Sequence, residues 1–78
     1  MTKRQREILN RIACLADEFR RWGNPKTAFK IGEIDCDHEY TFNQNLRSLR
    51  SLIGKGYVEN VNGNHYQLTE KGIRVTNF

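Results

Sequence analysis

Cysteine and proline are scarce in this sequence, and long apolar runs are missing. The two cysteines, Cys14 and Cys36, are too few for a disulfide scaffold, and two free thiols suit a reducing cytosol. Proline occurs once, at Pro25. With no internal repeat, low-complexity run or long linker, the chain reads as one continuous unit. No stretch approaches the roughly 18 apolar residues of a membrane span. No charged-then-apolar signal segment opens the chain, so a cytoplasmic protein without membrane contact is expected. Catalytic signatures are absent too: there is no G-x-S-x-G, no glycine-rich phosphate loop and no H-E-x-x-H. His38 and His65 lack a persuasive nucleophile partner. The expectation is a protein that is not an enzyme and needs no cofactor.

What is present is short and basic. The 78 residues allow one domain, 1–78, which hides only about 60% of its unfolded surface. Apolar residues make up 37% and charged residues 28%, with a net charge of +4. That balance favours an acidic partner, nucleic acid first. The charge is uneven. Residues 1–30 carry eight basic and three acidic side chains, residues 31–45 none and four, and residues 46–78 five and two. The acidic block would repel phosphates unless it points away from them.

The first helix is marked by Thr2 and Gln5, a capping box. Ile8, Ile12, Leu15, Phe19 and Trp22, with Leu9 and Ala16 beside them, form its apolar stripe. Arg4, Arg11, Asp17 and Arg21 occupy the opposite face, and Gly23, Asn24 and Pro25 end the helix. A shorter helix is expected after Thr27, with Phe29, Ile31 and Ile34 inward. Residues 35–39 read as an acidic turn. Thr41 and Gln44 form a second capping box. Phe42, Leu46, Leu49 and Ile53, with Leu52, predict the buried stripe of a third helix. At about 100° per residue the opposite face is Gln44, Arg47 and Ser51, flanked by Asn43, Ser48 and Arg50. The period then changes. Residues 57–61 and 65–68 read as strands around Asn62, Gly63 and Asn64, a strong hairpin signal. Residues 69–72 are a turn or the start of a helical turn. Ile73, Val75 and Phe78 add a short strand or pack a C-terminal turn.

The expected fold is mainly α with a small β-hairpin, an α+β arrangement. Three helices followed by a two- or three-stranded wing make a winged helix-turn-helix. Such a layout suits duplex DNA. One helix fits the major groove, about 12 Å wide, and the neighbouring helix and wing meet phosphates. The runs T-K-R-Q-R-E-I-L, G-N-P-K-T, L-x-x-L-x-x-K-G-Y-V-E and N-G resemble the N-terminal DNA-binding domain of LexA-type repressors. K-G-Y-V-E and Y-x-L-T-E-K-G are also similar to MarR-type and other winged-helix regulators. The resemblance covers nearly the whole chain. Between Thr27 and Leu49 this sequence runs about two residues longer than the LexA-type pattern. There I-G-E-I-D-C-D stands where E-I-A-x-x-L-G is usual. The protease domain that follows in LexA-type repressors is not in this sequence, so the resemblance implies no self-cleavage.

At the matching positions the resemblance implies that Thr41, Asn43, Gln44 and Arg47 lie at base edges. The helix-face reading independently gives Asn43, Gln44 and Arg47. Asn and Gln bind adenine bidentately, and Arg binds guanine O6 and N7. Lys26, Ser48, Arg50, Ser51 and Lys55 are the expected backbone contacts. Asn62, Asn64 and His65 form the wing tip, which carries no Arg or Lys and should contribute little. One reading helix gives limited specificity, so a homodimer on a two-fold operator is expected. Its interface falls on the first helix or on residues 73–78.

Other readings compete. A solvated helix face carries the same polar residues. Cys36, His38 and the acids at 35, 37 and 39 raise zinc, yet a structural site needs four ligands and spacings such as C-x₂-C. No metal is therefore expected, and Cys14 reads as a small core residue. Trp22, Tyr57 and Tyr66 fall on apolar registers and read as packing. The acidic turn and the uncharged wing tip also fit a protein-interaction module that acts on a regulator, polymerase or nuclease.

Overall fold

The computed structural model describes residues 1–35 and 40–76. Helix α1 runs Lys3–Arg21. Its capping box forms as expected: Gln5 N donates to Thr2 Oγ1 at 3.1 Å, and Thr2 N donates to Gln5 Oε1 at 3.2 Å. The helix ends in a Schellman motif, with Gly23 at φ 79°. Asn24 N donates to Phe19 O at 2.8 Å and Gly23 N to Arg20 O at 3.0 Å. The left-handed residue that this motif requires is the one glycine supplies without strain.

The chain then extends. Phe29 is buried completely and pairs with Tyr66 as an isolated antiparallel bridge. Phe29 N donates to Tyr66 O at 2.9 Å, and Tyr66 N returns a bond to Phe29 O at 2.8 Å. The second helix, α2, is therefore shorter than expected, Ile31–Ile34. Phe29 contributes its ring to the core from extended backbone. Helix α3 runs Phe42–Gly54 and carries the second capping box. Strands β1 (Val58–Val61) and β2 (His65–Leu68) pair antiparallel, with Val58 opposite Leu68 and Val61 opposite His65. Asn62 and Gly63 take φ of 54° and 80° to turn the chain, the left-handed conformation that an N-G pair favours.

A fourth helix, α4, spans Glu70–Arg74 behind the N-cap Thr69. The expected three helices are thus four, and no third strand of the sheet forms among the described residues. Gly72 explains how α4 seats so closely. A Cβ there would stand 2.0 Å from the Tyr57 carbonyl oxygen, so any side chain would force backbone apart. The architecture is α+β, with four helices and one hairpin among the described residues.

The core joins all these pieces. Ile8, Leu9, Ile12 and Leu15 enter from α1, Leu49 and Leu52 from α3, and Val58 and Tyr66 from the hairpin, with Phe29 and Ile34 between them. Three residues expected to pack inward lie outside it, Ile73 of α4 among them at 59% exposed. Trp22, at the C-cap of α1, is 74% exposed, and Phe42 is 63% exposed. Trp22 follows the last helical turn, where chain reversal takes it past the core edge. Phe42 is outward because α3 is turned about its axis relative to the apolar-stripe reading. The buried row is Asn45, Leu49 and Leu52. At about 100° per residue this rotates the inward face by roughly 50° from the predicted one. Cys14 is half-buried, its Sγ 3.7 Å from Glu18 Oε1. No helix among the described residues is long and apolar enough to cross a membrane.

Candidate nucleic-acid interface

The rotation of α3 has a polar cause. Asn45 is 3% exposed and Asp35 is 7% exposed. Asn45 Nδ2 donates to Asp35 Oδ2 at 2.7 Å, and Arg4 Nη2 donates to Asn45 Oδ1 at 2.6 Å and to Asp35 Oδ1 at 3.2 Å. Arg4 also covers the Tyr40 ring at 4.1 Å and reaches Glu7 at 3.2 Å. Arg4 was expected on the solvated face of α1. It points inward because a buried carboxylate and amide need a partner with several donors. The network ties the first turn of α1 to the end of α2 and the first turns of α3.

From the neighbouring position on α1, and nearly two turns further along α3, a second bridge joins the same helices. Gln5 Nε2 donates to Ser51 Oγ at 3.0 Å, and Gln5 Oε1 accepts from Lys55 Nζ at 3.0 Å. Ser51, an expected backbone contact, is thus half-buried against α1. Lys55 remains exposed but is tethered to it.

The acidic block changes meaning in this setting. Asp35 is held inside by Arg4. Glu33 pairs with Lys26 at 3.0 Å and accepts the Lys30 N–H at 3.1 Å. Burial pushes the Glu33 carboxyl up. The Lys30 N–H, the Lys26 ammonium and the His65 ring outweigh that and hold it below its ordinary value of 4.5. Lys26, read as a phosphate contact, is therefore engaged within the fold, its Nζ also 5.2–5.3 Å from the Phe29 and Phe19 ring centres. Two of the block's four carboxylates are matched by cations. Asp37 and Glu39, with Cys36 and His38 of the zinc reading, lie outside the described residues. Among the described residues no three His, Cys, Asp or Glu side chains cluster as a metal site would.

The outward face of α3 differs. Asn43, Arg47 and Arg50 recur at i, i+4 and i+7 and are all exposed. None has a side-chain partner among the described residues. Thr41 and Gln44 stand at the start of this face, but both are engaged in the N-cap. Gln44 Oε1 accepts from Thr41 N at 2.8 Å, and Thr41 Oγ1 accepts from Gln44 N at 3.1 Å. Gln44 keeps its Nε2 donors and one lone pair of Oε1 for a ligand. Ser48 is half-buried at the edge of the face.

Beside this face lies a groove of about 620 Å³ between α3, the N-terminus of α2 and the hairpin. Phe42, Leu46 and Ile53 form its apolar wall, and Lys30, Arg50 and Asn64 stand around it. At the hairpin tip Asn62 and Asn64 are exposed, and Asn64 Oδ1 lies 2.7 Å from His65 Nδ1. Sequence reading missed Arg4, Gln5, Asp35 and Asn45 as determinants of how α3 is presented. A signal for Asn45 existed: it precedes Leu49 and Leu52 at the i, i+4, i+7 spacing of a buried row. No protein-family model, curated protein or solved structure is matched by this chain.

Proposed function

We propose that this chain is a winged helix-turn-helix protein that binds double-stranded DNA sequence-specifically and acts as a small transcriptional regulator. In this reading α3 enters the major groove and the hairpin is the wing. The observation that carries it is the outward row Asn43, Arg47 and Arg50, exposed and unpartnered among the described residues. These side chains have the chemistry for adenine, guanine and phosphate edges. The ion pairs of Asp35 with Arg4 and of Glu33 with Lys26 support the same reading, because they lower the repulsion that the acidic block would exert on phosphates. One helix supplies few base contacts, so the operator is two half-sites bound by a homodimer.

The test is fluorescence anisotropy on random and selected duplexes at two salt concentrations. Sequence-dependent affinity that falls with salt is expected, and Arg47→Ala should lower it. Unchanged affinity and unchanged sequence preference in Arg47→Ala would remove α3 as the reader. A second reading, a protein-interaction module, is favoured by one observation, the apolar wall made by exposed Phe42 with half-buried Leu46 and Ile53. A partner retained from nuclease-treated lysate, with no measurable duplex binding, would replace the DNA reading.

A further inference from the structure

Phe42 is the first residue of α3 and leaves 63% of its surface in solvent. A large ring so exposed on a chain with a small core has no packing role that accounts for it. Leu46, one turn later, extends the same apolar wall, half-buried. Lys30 and Arg50 line the same groove and have no side-chain partner among the described residues. Apolar surface flanked by exposed cations suits a ligand with an apolar group beside negative charge. In the major groove of B-DNA one base-edge group is apolar, the C5 methyl of thymine. Residues at the N-terminal end of a reading helix are those that reach base edges.

From this we infer that Phe42, backed by Leu46, is a thymine-methyl subsite, with Arg50 and Lys30 on the adjoining phosphates. The inference rests on α3 being the DNA-reading helix. Phe42 adds to Asn43 and Arg47 what hydrogen bonds alone do not supply, recognition of a pyrimidine by its methyl group.

The experiment uses the full chain and the tightest duplex selected from a random-sequence pool. Each thymine is replaced in turn by deoxyuridine, which removes the methyl and keeps every hydrogen-bonding group. Wild type should lose about fourfold in affinity at one or two positions per half-site, the equivalent of one buried methyl at ~0.8 kcal/mol. In Phe42→Ala the same replacements should change nothing, and Phe42→Leu should keep part of the discrimination. Thermal melting of both variants should match wild type, since the side chain is exposed. Tight duplex binding with no sensitive thymine overturns the subsite and leaves the apolar wall to a protein partner. Discrimination retained in Phe42→Ala overturns it as well. Failure to select any duplex is a different result, and it removes the DNA reading together with the subsite.

Discussion

Asn43 and Asn45 sit two residues apart on α3 and face opposite ways. Asn45 is 3% exposed and is held by Asp35 and Arg4 at 2.7 and 2.6 Å. Asn43 is exposed and has no partner among the described residues. The contrast runs along the helix. Ser51 is bonded to Gln5 on the α1 side, while Arg47 and Arg50 stand in solvent. A buried polar group must be satisfied by fixed partners, and fixed partners set the rotation of the helix that carries it. An exposed polar group keeps its donors for a ligand. The inner face of α3 therefore orients, and the outer face is left to recognise.

The strongest way to break this contrast is to remove the orienting cation. Among the described residues, Arg4→Ala leaves buried Asp35 with Asn45 alone to answer its charge. Loss of one partner of a buried pair costs about 3–5 kcal/mol, a large share of the stability of a domain this small. The melting temperature by circular dichroism should fall by more than about 12 °C, given roughly 4–8 °C per kcal/mol for this size. Replacing Arg4, Asp35 and Asn45 together by Met, Leu and Leu should recover much of that loss. A drop of only a degree or two in Arg4→Ala would mean the network does not orient α3.

Arg47→Ala is the mirror case on the outer face. Stability should stay within about 0.5 kcal/mol of wild type. Duplex discrimination should fall by about 1–3 kcal/mol, roughly 5- to 150-fold, at one base position. If Arg47 meets a phosphate instead, affinity drops evenly across sequences and the salt slope changes by about 0.9.

How much of this contrast could be read in advance follows from its physics. Thr2, Gln5, Thr41, Gln44 and the Asn62–Gly63 pair act within a few residues of themselves, so caps and turn were legible. The rotation of α3 was not. It depends on Asp35 meeting Arg4 and Asn45, 31 and 10 residues away, and no local pattern encodes that meeting. Phe42 misled for the same reason. Apolar spacing placed it inward with Leu46 and Ile53, while a buried Asn took the place of an apolar residue on the inner face. For the candidate site, the outward position of Asn43, Arg47 and Arg50 survived the rotation. Ser51 and Lys26 did not stay free, because Gln5 and Glu33 hold them.

Gln5→Ala probes the second inner bridge, with a smaller effect. It removes the acceptor of Lys55, the donor to Ser51 and the capping-box acceptor of the Thr2 N–H, and about 1–2 kcal/mol of stability should go with them. Lys55 is then released. A salt slope on duplex DNA that steepens in Gln5→Ala would assign Lys55 to the outer set, and an unchanged slope would keep it as part of the clamp.

The smallest expected effect concerns Glu33, which stands between the two sets. Its carboxyl is held below the ordinary 4.5 by the Lys30 N–H and by Lys26, against the upward push of burial. A depressed folded-state value means the stabilisation is present above about pH 4.5 and lost as pH falls through the lower folded value. The side chain is about one-third exposed, so solvent screens the pair and the contribution is well under 1 kcal/mol. Urea midpoints measured from pH 6 to pH 3 should therefore fall slightly less in Glu33→Gln than in wild type. Protonating Glu33 also releases Lys26 toward the solvent. If Lys26 then reaches phosphate, Glu33→Gln should bind duplex DNA more tightly at low salt than wild type does. If the affinity is unchanged, Lys26 belongs with Arg4 as a cation used to build the fold.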